Sequence, residues 1–128
     1  MGYESKVYIV QKHNHYMHEM RNSKCMFFGE VVASFDMCKF PFPEFTQAFD
    51  KPTDCYIFFD GDGDNEVLED KYGVPLTEAS VDMVINCLEN LNDKTDSYRR
   101  TLPLLAMLKA FKENESEWQN IVILHYGH

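Results

Sequence analysis

The chain is short of positive charge: 12 lysines and arginines stand against 21 aspartates and glutamates, a formal net charge of −9 with histidine neutral. A free-standing DNA or RNA binder displaces counterions with lysine and arginine, so direct nucleic-acid binding is excluded as an expectation. An anionic membrane surface is disfavoured on the same ground. Long apolar runs are missing too. The longest span about four or five residues, against the ~20 that a membrane-crossing helix needs. The first residues, Met1 to Lys6, contain no apolar stretch of the secretory kind, and Lys6 breaks the N-terminal lipidation pattern. The expected location is cytoplasmic.

Paired cysteines are absent as well. Cys25, Cys38, Cys55 and Cys87 are separated by 13, 17 and 32 positions, with no C-x-x-C to hold zinc or run redox chemistry. Each has apolar neighbours, so all four are expected as small buried residues in a reducing compartment. No G-x-S-x-G, phosphate-binding loop, G-x-G-x-x-G or H-E-x-x-H occurs. A Cys–His nucleophile built from Cys25 or Cys38 rests on residue types alone. Neither an enzyme nor a cofactor is expected.

What remains is an ordinary globular composition, 45% hydrophobic over 128 residues. That is one domain, 1–128, able to bury roughly two-thirds of its unfolded surface without staples. Tyr3 to Val10 ends in Val7-Tyr8-Ile9-Val10 and predicts a first strand. Gln11 to Lys24 reads as a polar separator. Cys25 to Phe35 predicts a second strand with Gly29 as a candidate bulge, helix being the rival reading of so long a run. Phe40-Pro41-Phe42-Pro43 forces extended backbone, and Glu44 to Phe49 one helical turn. Asp54 to Phe59 predicts a third strand with Glu66 to Asp70 as its weaker partner. Thr77 is read as a helix N-cap, with Val81, Val84, Ile85, Leu88 and Leu91 at helical spacing after it. A second helix is expected from about Ser97 to Lys112, with Pro103 either in its first turn or kinking it. Ile121 to Leu124 are apolar without interruption, which predicts a central final strand. The fold class is α+β: a mostly antiparallel sheet of about four to five strands, with two helices of the C-terminal half packed on one face.

The sharpest chemical feature is an acidic hairpin. Asp60, Asp62, Asp64, Glu66, Glu69 and Asp70 place six carboxylates within eleven residues, with no lysine or arginine among them. Two Asp-Gly steps supply the positive φ values of a tight reversal. The spacing opens like a calcium loop, but Asn65 stands where that loop wants glycine and Lys71 where it wants glutamate. The competing readings are a solvated turn and a partner-binding surface whose potential steers a basic protein. Phe and Tyr residues nearby, including Phe40, Phe42, Phe45, Phe49 and the Phe58-Phe59 pair, would supply an apolar anchor or a dimer interface. The competing reading is that the Phe-Pro segment folds over a sheet edge.

All five histidines fall in two groups, His13/His15/His18 and His125/His128. Were the first and last strands neighbours, these groups would converge on a transition metal. In extended chain His13 and His15 share a face and His18 does not. The competing reading is polar histidines at strand ends, with the metal ligands left unknown.

Residues 1–10 (MGYESKVYIV), 121–128 (IVILHYGH) and the Tyr98-Arg99-Arg100 block resemble small uncharacterised proteins of phages and mobile elements of Gram-positive bacteria. The likeness covers about a third of the chain. It implies a setting in which small acidic proteins inhibit nucleic-acid-handling or defence machinery, anti-CRISPR inhibitors among them. The expected function is thus a non-catalytic acidic protein, a monomer or homodimer, that binds a basic surface on a protein partner through Asp60, Asp62, Asp64, Glu66, Glu69 and Asp70. The alternative is a metal-binding protein using both histidine groups.

Overall fold

In the computed structural model the described residues are 5–20, 23–38, 47–58, 66–92 and 101–127. The chain opens with two long strands, β1 (Ser5–Glu19) and β2 (Cys25–Cys38), paired antiparallel. Two short strands follow, β3 (Lys51–Pro52) and β4 (Cys55–Tyr56), then β5 (Thr77–Ser80). Helices α1 (Val81–Asn92) and α2 (Thr101–Glu113) lead to the last strand, β6 (Ile121–Gly127). No described helix is long and apolar enough to cross a membrane.

The six strands form one sheet in the order β3-β5-β6-β1-β2-β4, antiparallel except for β2 with β4. The α+β class and the mostly antiparallel sheet are as expected; among the described residues the sheet has six strands rather than four to five. β4 falls within the expected strand at Asp54 to Phe59, whereas β3 was not expected, because a strand of two residues carries no periodicity. Pro52 is tolerated in β3 because that strand lies at the sheet's edge. Although β3 and β4 stand at opposite ends of the strand order, only Thr53 and Asp54 separate them in sequence. Two residues span roughly 10 Å at most, so the sheet curls until its two ends meet.

Both faces of its middle are buried. Val7, Ile9, Ala79 and Ile123 face α1 and α2, meeting Val84, Leu88, Leu104, Leu105, Leu108 and Phe111. Tyr8, Val10 and Leu124 face the other way, against Ile57 and Leu76. This is why β6 reads as an unbroken apolar run: Ile123 and Leu124 are each fully buried, on opposite faces. Each such side chain contributes about 1.5–3 kcal/mol.

Several expected boundaries move. The polar stretch after Val10 is strand, not separator: β1 runs on to Glu19, paired with β2 alone beyond Gln11. Gly29 is not a bulge; it pairs in register with Lys12, and the register slips instead between Ile9 and Val10, where Val32 is the extra residue. Glycine is required at 29 for space, because a Cβ there would lie 2.6 Å from Val10 Cγ1 and 3.1 Å from the Tyr56 carbonyl oxygen. Thr77 begins β5, and the N-cap is Ser80, whose Oγ accepts from the Met83 amide at 3.2 Å. Of the two places open to Pro103, the first turn is the one it takes, since α2 is described from Thr101. The reversal at 60–65, the Phe40–Phe45 segment and Phe59 lie outside the described residues.

Candidate interaction surface

The arm that carries the acidic cluster is rooted by apolar residues. Ile57 and Val67 are antiparallel partners, the Val67 amide donating to the Ile57 carbonyl at 2.7 Å and the reverse bond measuring 3.4 Å. Both pack against the second face of the sheet, and Leu68 joins Met26 and Tyr56 beside them. The expected pairing of the Asp54–Phe59 segment with Glu66–Asp70 is therefore present at Ile57 and Val67. Asp60, Asp62 and Asp64 lie outside the described residues, while Glu66, Glu69 and Asp70 lie within them.

A second reversal follows at once. The Asp70 amide donates to the Val74 carbonyl at 2.8 Å, and the Gly73 amide to the Asp70 carbonyl at 3.1 Å. Asp70 Oδ1 accepts from the amides of Tyr72 (2.8 Å) and Val74 (3.0 Å), an Asx turn. Gly73 has φ +79°, a conformation that glycine enters freely. Asp70 thus has a structural task within its own turn. What the turn displays is Tyr72 and Val74, 54% and 53% exposed. Glu69 beside them is exposed and makes no ion pair with a described residue. The sequence reading does not single out Tyr72 and Val74; Asp70 two residues before Tyr72 is the available signal.

The histidines do not converge as two groups. β1 and β6 are neighbours, but antiparallel pairing sets His125 opposite Val7. That is six residues from His13, about 20 Å along the strand. His125 is buried beside Phe49 and bonded to Ser5 Oγ at 2.9 Å. Burial lowers its pKa, with the nearby Asp70 charge opposing. His128 lies outside the described residues. The first group is brought together more closely than extended geometry predicts. Between the pairs His13–Phe28 and His18–Met26, four residues of β1 oppose one of β2, and this irregularity turns His18 toward the same side. His13, His15, His18 and Phe28 line a pocket of about 190 Å³. His13 Nε2 lies 2.8 Å from Glu30 Oε1, and its ring stacks on Phe28. Among the described residues no group of three or more histidine, cysteine, aspartate or glutamate side chains is arranged to hold a metal ion.

The curled seam holds a polar cluster of its own. Lys12 Nζ lies 2.7 Å from Asp54 Oδ2 and 4.6 Å from the Phe27 ring centre. Thr53 Oγ1 donates to Glu78 Oε1 at 2.8 Å and accepts from the Cys55 amide at 3.1 Å. Burial lowers the Lys12 pKa, but bonding to Asp54 outweighs it and the net shift is upward. Burial, then the Asp54 charge, push the Cys55 thiol up to about 12. A thiol so placed stays protonated and is no nucleophile at neutral pH. The four cysteines are not uniformly buried: Cys55 is, Cys87 is half-buried, Cys25 is exposed at the start of β2, and the Cys38 side chain is not described. Cys25 opposes Glu19 near the outer end of the β1–β2 ribbon, where no other described strand covers it.

No protein-family model matches the chain, no curated protein matches it, and no solved structure matches it.

Proposed function

We propose that the protein is a non-catalytic interaction module that engages a basic surface on a protein partner through its 57–76 arm. Asp60, Asp62, Asp64, Glu66 and Glu69 supply the attraction, and Tyr72 and Val74 the apolar anchor. The observation that carries this reading is the Asp70–Val74 turn, which holds two large, more than half-exposed side chains beside a carboxylate, Glu69, that no described residue neutralises. Carboxylates presented together steer a cationic partner and reject like-charged ones. A rigid aromatic next to them supplies binding energy that charge alone does not. A second copy of the chain is a poor occupant, since it would set acidic arm against acidic protein. The resemblance to phage proteins would make the partner a nucleic-acid-handling or defence protein, its phosphate-binding groove filled by carboxylates.

The test is affinity capture from bacterial lysate at low and high salt, with the wild type and an Asp60→Asn, Asp62→Asn, Asp64→Asn, Glu66→Gln, Glu69→Gln variant. Capture of a basic protein that weakens with salt and is lost in the variant supports the reading. Equal capture by both proteins removes the arm from it.

A further inference from the structure

On the helical side of the molecule, far from the seam in sequence, the start of α1 meets the connector between α2 and β6. Between them lies a groove of about 610 Å³, within the ~300–1,000 Å³ range of small-molecule sites. The connector is ordered by its own backbone: the Asn114 amide donates to the Phe111 carbonyl, and the Glu117 and Trp118 amides both donate to the Asn114 carbonyl. It ends at Asn120 in the left-handed region, φ 62°, which asparagine adopts more readily than most residues. One wall is aromatic. Trp118, the only tryptophan in the chain, sits edge-to-face against Phe111 with ring centres 5.1 Å apart. Phe111 is buried, and Trp118 is the member left open at 36%.

The charges in this groove answer one another. Lys112 Nζ lies 2.8 Å from Asp82 Oδ1 and 3.0 Å from Glu115 Oε1. An ammonium already held by two carboxylates has little to give an anion, and the lining keeps one excess negative charge. A phosphate or sugar acid is therefore disfavoured. What stays unengaged is neutral. The side chains of Ser116, Gln119 and Asn120 line the groove and hydrogen-bond no other described residue.

We propose that this groove binds an uncharged saccharide, which stacks on the Trp118 indole and exchanges hydrogen bonds with Ser116, Gln119 and Asn120. A sugar ring presents C–H groups on one face and hydroxyls around its rim. Carboxamides suit such a rim because each offers two donors and an acceptor with two lone pairs, and an indole supplies a large flat apolar surface for the face. The two aromatic rings stand nearly perpendicular, so the groove provides one stacking platform rather than a slot for a planar base.

Because Trp118 is the sole tryptophan, its emission reports the groove directly. The full chain is titrated with maltose, cellobiose, lactose and chitobiose, and separately with glucuronate, glucosamine and a nucleoside monophosphate. The expected result is a saturable emission change with at least one neutral disaccharide, unaffected by added salt. Gln119→Ala should weaken that binding about ten-fold, the order of one to two lost hydrogen bonds. Asn120→Gly, which keeps the backbone conformation, should weaken it similarly, with helical circular dichroism unchanged in both. No saturable response to any of the four disaccharides overturns the proposal. So does tighter binding of a charged probe, or a response that both variants leave intact. None of these results touches the acidic arm, whose function is tested separately.

Discussion

Lys12 Nζ and Asp54 Oδ2, 2.7 Å apart, tie the middle of β1 to the two-residue link that closes the curled sheet. The pair is half open to solvent, so its worth is modest, and Asp54→Ala should lower the unfolding free energy by about 1 kcal/mol. Lys12→Ala should cost more, since it also strips the stem and ammonium from the Phe27 ring. Urea unfolding of the two variants checks this; a larger loss for Asp54→Ala would contradict it.

Alkaline pH should unfold the protein by a defined route. Tyr8, buried against Tyr126, has its hydroxyl pushed up to about 12 by burial and the neighbouring phenol. Cys55 is raised similarly. A group with a raised folded pKa contributes stability below its unfolded value and loses it as pH climbs to the folded one. The loss therefore starts near pH 9 for the thiol and near pH 10 for the phenol, and runs to about 12. Tyr8 alone accounts for on the order of 2 kcal/mol. Tyr8→Phe should flatten the upper part of the curve in denaturant titrations at successive pH values.

The acid side is governed in part by His125. Its folded pKa is depressed, so its neutral form is favoured in the fold, and stability is lost as pH falls below the ordinary histidine value. Nuclear magnetic resonance should show His125 titrating below the ordinary histidine value. His125→Gln should reduce the pH dependence of stability between neutrality and about pH 5. An ordinary titration for His125 would contradict the assignment.

Gly29→Ala should destabilise by about 1–3 kcal/mol, the range of overpacking in a closed core. The added methyl would strike Val10 Cγ1, itself fully buried. In the double variant Gly29→Ala/Val10→Ala the combined loss should be smaller than the sum of the two single losses, because shortening Val10 makes room. Strict additivity of the two losses, measured by thermal unfolding, would rule out the close approach.

How much of this was legible beforehand depended on where a residue's partners lay. The apolar face of α1 and the central place of β6 were readable, because burial leaves a local pattern. The extension of β1 through His13, His15 and His18 was not. That stretch forms a ribbon paired on one side only, where polar residues suit strand as well as loop. β5 was read as the start of α1 because four residues cannot establish a period of two against a strong helical pattern. At the candidate surface, the carboxylates and the pairing of the segments that flank them were visible in sequence. Tyr72 and Val74 became visible only once Asp70 was seen to bond the turn that displays them. The Trp118 groove depends on residues from about 80 and from 111–121 meeting in space, which no local pattern announces.

The central claim concerns charge position rather than charge total, and one comparison isolates it. The captured partner's dissociation constant is measured for the wild type, for the arm variant at Asp60, Asp62, Asp64, Glu66 and Glu69, and for a control neutralised at five other acidic positions, Glu19, Asp50, Glu89, Glu113 and Glu117, all exposed. Both variants raise the net charge equally. Binding at least ten-fold weaker in the arm variant, with the control close to wild type, is the predicted result. Equal weakening in both would show that the partner senses only overall acidity, and the arm would have no part in recognition.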